Sequence, residues 1–179
     1  VKELKKRFGN NVYTTDEKMT LEETVVNLLK EKGFTLTTAE SCTGGLLGAR
    51  LTNVPGVSEV YKQGFITYSN RAKRKLLDVK KNTLKMYGAV SDKTAKEMAK
   101  NGAFITGSDV CVSITGLAGP EGGTPDKPVG LVYIACCCHD RVLVNEFHFK
   151  GSRSKIREYA VVRALTLLRE AILEEEPRQ

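Results

Sequence analysis

Tryptophan is absent from the chain, and histidine occurs only as His139 and His148, in one short stretch. Two histidines so placed leave little room for a histidine-based metal site or a Ser-His-Asp triad. No uncharged run exceeds the 12 residues of Pro128–His139. A membrane-spanning helix needs about 20 apolar residues, so none is expected. The first residues are charged and lack the apolar core of a signal peptide, so secretion is not expected and a cytoplasmic location is. Cysteine is present five times but never as CxxC. Three of the five are consecutive, Cys136–Cys138, and neighbours in a strand point to opposite faces. They read as small apolar filling of a buried strand in a reducing compartment, with neither a disulfide framework nor zinc.

What is present is an ordinary globular composition. The 179 residues are 41% hydrophobic and 27% charged. That length fits one domain and buries roughly 70% of the extended surface, so folding needs no staple. Lys and Arg number 28 against 21 Asp and Glu, a net charge of +7. The excess suggests an anionic partner, either nucleic acid or a phosphorylated small molecule. The basic residues read as spread along the chain, with local clusters at Arg71–Lys75 and Lys150–Arg157, so a solvated surface accounts for most of them.

Residues 1–19 are polar and without period, and read as an irregular N-terminal extension. Residues 20–174 read as a single domain, and 175–179 as a tail. Thr20-Leu-Glu-Glu23 is a capping box, followed by an apolar stripe at Leu21, Val25, Leu28 and Leu29 that Gly33 ends. Strands are predicted over 34–39, 65–68, 109–115, 129–138 and 142–149. Helices are predicted over 46–51, a short basic segment capped by Asn70 and running through Leu77, a short stretch ending at Gly88, a segment capped by Ser91, and 154–173. The alternation predicts an α/β fold with three layers, α/β/α, around a mixed, partly parallel β-sheet whose last two strands form a hairpin.

Three segments follow strands directly and carry chemistry. Ala39-Glu-Ser-Cys-Thr-Gly-Gly45 sits at a strand-to-helix turn, where Ser41 occupies a nucleophile's place and the helix start offers N–H groups to an anion. Cys42 is a competing nucleophile, and a plain capped turn is the alternative. Tyr68-Ser-Asn-Arg-Ala-Lys73 places Lys73 as a phosphate ligand, a general base of lowered pKa, or part of a solvated basic face. The loop from Gly116 to Pro128 holds four glycines and three of the five prolines. It is long for a connection and suits an anion cradle or an oxyanion hole. The order of elements lets all three segments converge at one sheet edge. Arg153 and Arg157 share a helix face, with a structural role favoured over phosphate binding. Ser152-x-x-Lys155 matches S-x-x-K by chance.

Six motifs in order, AESCTGG (39–45), YSNRAK (68–73), GAVS (88–91), TGLAGPEGG (115–123), KPVG (127–130) and GSRSKIR (151–157), resemble the CinA C-terminal domain family, the nicotinamide-nucleotide amidases. The resemblance covers about residues 20–174, in the stand-alone form rather than fused behind a larger molybdopterin-binding-like domain. Leu117 and Leu131 depart mildly from the common pattern. The resemblance implies deamidation of nicotinamide mononucleotide to nicotinic acid mononucleotide and ammonia. It implies Ser41 as nucleophile, Lys73 as its base and Thr115 as the third polar position. Cys42, Thr43, Gly44, Gly45, Tyr68, Gly116 and Gly119 would bind substrate, with backbone N–H groups of Gly44, Gly45 or Gly116 holding the oxyanion. No metal or cofactor is required, and a homodimer or higher homo-oligomer is favoured. A non-catalytic nucleotide-binding module is the alternative. No specific nucleic-acid or membrane partner is expected; weak, salt-sensitive, sequence-independent binding is the only form the charge supports.

Overall fold

Thr20 opens helix α1 (Leu21–Lys32) with the expected capping box. Its hydroxyl accepts the Glu23 N–H at 3.2 Å, and the Glu23 carboxylate accepts the Thr20 N–H at 2.7 Å. Gly33, at a φ of 70°, ends the helix in the left-handed region that a glycine adopts without strain. The computed structural model describes residues 6–7 and 12–175. Of the expected extension, 1–5 and 8–11 lie outside the described residues, as do residues 176–179 of the tail; 6–7 are helical and 12–19 are loop and turn.

After α1 come β1 (Leu36–Glu40), α2 (Leu46–Thr52), a single 3-10 turn (Val57–Glu59), β2 (Tyr61–Ile66), α3 (Asn70–Leu77), α4 (Lys81–Tyr87) and α5 (Asp92–Thr106). β3 (Val110–Gly116), β4 (Leu131–Cys138), β5 (Arg141–His148) and α6 (Arg153–Leu173) complete the order. One five-stranded sheet runs β2-β1-β3-β4-β5. β1 is parallel to both β2 and β3, while β3–β4 and β4–β5 are antiparallel. The sheet is therefore mixed and partly parallel, as the alternation predicts.

Side-chain alternation divides the core between the two faces of that sheet. Val110, Val112, Ile114, Ile134, Cys136 and Cys138 pack with α1, α2 and α6. Cys111, Ala135 and Cys137 pack with Ala39 and Phe65 against Leu77, Ala95, Met98 and Ala99 of α3 and α5. The three consecutive cysteines thus fill both layers, all buried and unpaired. A helical layer covers each face, giving the three-layer α/β/α architecture.

The second strand lies earlier than the sequence pattern suggests, at 61–66 rather than 65–68. It is an edge strand in which Lys62, Gln63 and Gly64 are exposed and only Phe65 is buried, so it carries no readable alternation. Helix α3 is capped by Ser69, one residue before the expected Asn70. β4 begins at Leu131 because Gly130, at a φ of 94°, turns the chain where a Cβ would meet the Phe149 carbonyl oxygen. Among the described residues no helix is long and apolar enough to cross a membrane.

Candidate active site

Because β2, β1 and β3 are adjacent and parallel, their carboxyl ends share one edge of the sheet. Ligand sites in open α/β sheets collect at such an edge. Ser41 is the first residue past β1, and its N–H still donates to the Ile114 carbonyl at 2.9 Å. Thr67 is the first residue past β2, fixed by its N–H to the Glu40 carbonyl at 2.8 Å. Ser69 then starts α3 by accepting the Ala72 N–H, and Lys73 projects from the first turn.

Lys73 is 1% exposed. Its Nζ lies 2.9 Å from Ser41 Oγ and 2.7 Å from the Thr67 carbonyl oxygen. Burial lowers its pKa to about 8, against a weak opposing pull from Cys42. An ammonium in so dry a place loses hydration that two hydrogen bonds only partly replace. In the neutral amine, one N–H can donate to Thr67 while the lone pair accepts the Ser41 hydroxyl proton. Such an arrangement can serve as a nucleophile and a base oriented by a third group.

The turn carrying Ser41 is closed by Glu40, whose carboxylate is 1% exposed. It accepts the N–H groups of Gly45 and Leu47 at 3.1 Å and of Gly48 at 2.9 Å. The Gly44 N–H donates to the Ser41 carbonyl and the Leu46 N–H to the Thr43 carbonyl. The start of α2, expected as an anion cradle, is therefore filled by the protein's own carboxylate. The N–H groups of Gly44 and Gly45 already have partners and do not face a ligand as free donors. Arg157 fastens the turn from the other side, donating to the Cys42 carbonyl at 3.1 Å and the Thr43 carbonyl at 2.8 Å. That is a structural role, as the sequence favours.

A cavity of about 200 Å³ opens beside Ser41 and Lys73. Of the sequence-predicted residues, it brings together Ser41, Cys42, Tyr68, Lys73, Thr115, Gly116 and Gly119. Thr43, Gly44 and Gly45 build the turn and do not line the cavity. Cys42 is buried, and burial pushes its thiol up to about 11, which leaves almost no thiolate near neutral pH. Thr115, 1% exposed, donates its hydroxyl to the Ala89 carbonyl at 2.7 Å rather than to Ser41 or Lys73. Gly116 admits no side chain, since a Cβ there would meet the Leu131 carbonyl oxygen at 2.7 Å.

Sequence reasoning misses the roles of Glu40, Thr67 and Ala89, because two of them act through backbone carbonyls and the third through contacts that exist only once the turn has closed. It also misses how the rim is held. Arg153 donates to the Gly119 carbonyl at 2.7 Å and to the Tyr68 hydroxyl at 2.8 Å, joining the loop after β3 to the segment after β2. Lys127 donates to the Val90 and Tyr87 carbonyls, so KPVG is bolted to GAVS.

The CinA C-terminal domain family model matches residues 18–172. A CinA-like protein of Dictyoglomus turgidum (strain DSM 6724 / Z-1310) is 50% identical over 173 residues, covering 97% of this chain and 42% of the relative. A CinA-like protein of Kosmotoga olearia (strain ATCC BAA-1733 / DSM 21960 / TBF 19.5.1) is 49% identical over 172 residues, covering 96% of this chain and 42% of the relative. The chain thus spans about two fifths of the length of these curated relatives. Among solved structures, the competence/damage inducible protein CihA from Agrobacterium tumefaciens superposes with a TM-score of 0.83 at 40% identity, over 84% of this chain and 93% of that one.

Proposed function

The chain belongs to the CinA C-terminal domain family, and from that premise we propose that it is an amidohydrolase deamidating nicotinamide mononucleotide to nicotinic acid mononucleotide and ammonia. The observation that carries the reading is the buried Lys73 amine, 2.9 Å from Ser41 Oγ and lowered to about 8. A lysine so placed is a base matched to weakly alkaline chemistry, and no histidine is needed.

The Ser41 hydroxyl gives its proton to the Lys73 lone pair as Oγ attacks the carboxamide carbon. The Thr67 carbonyl holds the amine in the orientation that points this lone pair at Ser41. With Gly44 and Gly45 engaged, the oxyanion is assigned to backbone N–H groups of the loop that begins at Gly116, each such donor contributing ~3 kcal/mol in other enzymes. The Lys73 ammonium then passes its proton to the departing nitrogen, which leaves as ammonia. Water, deprotonated by the same amine, hydrolyses the acyl-Ser41 ester. Thr115 donates to Ala89, so towards the cavity its oxygen is an acceptor, suited to an N–H of the carboxamide. The filled start of α2 moves the substrate phosphate to the rim, where Arg153 retains guanidinium donors beyond the two it uses.

The test is ammonia release from nicotinamide mononucleotide, the riboside and free nicotinamide. Wild type releases ammonia from the mononucleotide, and Ser41→Ala loses that release while keeping its fold by circular dichroism. Lys73→Arg does not restore what Lys73→Ala loses, because a guanidinium cannot serve as a neutral base. Saturable binding of the mononucleotide without ammonia release would instead make the domain a non-catalytic nucleotide-binding module.

A further inference from the structure

The positive charge of this protein is not spread evenly. Residues 71–100 contain ten Lys or Arg and three Asp or Glu, an excess of seven that equals the excess of the whole chain. Everything outside that stretch carries 18 basic and 18 acidic residues. The stretch is also one structural layer, α3–α4–α5, which covers the sheet face of Ala39, Cys111, Ala135 and Cys137. A positive excess of seven therefore lies within this layer.

Lys73 is turned inward to Ser41, and the other nine cations lie at the surface, eight of them exposed. The layer's three acids, Asp78, Asp92 and Glu97, offset three of its ten positive charges. Asp92 lies 3.6 Å from both Lys93 and Lys96. Glu97 is occupied by the Lys80 N–H at 2.9 Å and the Thr83 hydroxyl at 2.6 Å. Lys80, Lys96 and Lys100 rim a cleft of about 360 Å³ between α5 and the start of β5, with Asn101 and Val142 as its remaining walls beside Glu97.

We propose that the α3–α5 face binds the phosphodiester backbone of a nucleic acid without reading its sequence. A small anion needs donors that converge on one point, whereas these cations are arrayed over three helices. Duplex DNA offers a charge every ~1.7 Å along its axis, which matches an array. Seven of the nine surface cations are lysines, point charges that take phosphates rather than the planar forks that read base edges. Such binding is driven by counterion release and weakens steeply with salt.

The experiment is fluorescence anisotropy of a labelled mixed-sequence DNA duplex titrated with the full chain across a salt series. A triple variant, Lys80→Gln with Lys96→Gln and Lys100→Gln, is compared with an equal charge change elsewhere, Lys18→Gln with Lys62→Gln and Lys155→Gln. The face variant is expected to bind about tenfold or more weakly at low salt, with a log–log salt slope shallower by about 3. The control set is expected to change affinity by less than about threefold. Equal losses in the two sets overturn the proposal, since net charge alone would then act. No binding by wild type at low salt also overturns it. Displacement of the duplex by polyglutamate as effectively as by unlabelled duplex overturns it too, and assigns the face to an acidic protein. None of these readouts depends on amidase activity.

Discussion

The Lys73 amine meets the Ser41 hydroxyl at 2.9 Å inside the protein, with the lysine 1% and the serine 8% exposed. Burial holds Lys73 near 8 rather than in the usual lysine range. Since the base must be neutral to accept a proton, kcat/KM should rise with pH through about 8 and then level. A stopped pH–rate series on wild type measures this. A rate that falls with pH from neutral to about 9 would remove Lys73 from the base role.

The same lowered pKa makes a stability prediction of definite sign. Between about 8 and the ordinary lysine value, the unfolded chain binds a proton that the folded protein does not. Stability contributed by this group therefore rises with pH across that window and is reduced below it. Near neutral pH, Lys73→Met should stabilise the fold by about 1–2 kcal/mol, because the charged-lysine penalty disappears while the Thr67 carbonyl loses a donor. The gain should shrink in strongly alkaline buffer. Urea melts at neutral and alkaline pH test it, and a Met variant less stable at both sinks the idea.

Reading the sequence names Ser41, Lys73 and Thr115, which the fold brings to one cavity, and not the groups that hold them. Ser41 follows β1 and Thr115 lies at the end of β3, strands whose apolar runs are legible, whereas Lys73 belongs to the helix after β2. β2 hides because its exposed Lys62-Gln-Gly64 has no buried alternate residue until Phe65. The filled start of α2 hides because Glu40 reaches N–H groups five to eight residues onward, a contact the closed turn creates. The basic face hides because core residues such as Leu77, Val79, Ala95 and Met98 interrupt the cations along the chain. Beyond the Arg71–Lys75 cluster the cations stand apart along the chain, yet they fall within one helical layer.

Cys42 lines the cavity beside Ser41 and is the thiol that competes with it as nucleophile. Its thiol is pushed up to about 11 by burial, so the thiolate is scarce at the pH where Lys73 is active. Cys42→Ala should keep kcat within about threefold of wild type, and alkylation of the wild-type thiol should be slow near neutral pH. Rapid alkylation that stops ammonia release only when Cys42 is present would reverse the assignment.

Glu40 supplies the sharpest separation between holding the site and doing its chemistry. Its carboxylate accepts three N–H groups of the α2 start, and two of these, Leu47 and Gly48, lie on the helix whose turn sets Ser41. Glutamine at this position keeps one acceptor oxygen but turns an NH₂ group towards N–H donors, and it removes a negative charge from a helix start. Glu40→Gln should destabilise the protein by about 2–3 kcal/mol. It should also lower kcat by about 10–100-fold with KM little changed, because a displaced nucleophile harms the reacting geometry and not the binding of the distant phosphate. The pH–rate midpoint should stay where wild type has it, since Lys73 is not touched. A Glu40→Gln enzyme with normal kcat, or with a shifted midpoint, would show that the carboxylate acts otherwise than by positioning Ser41.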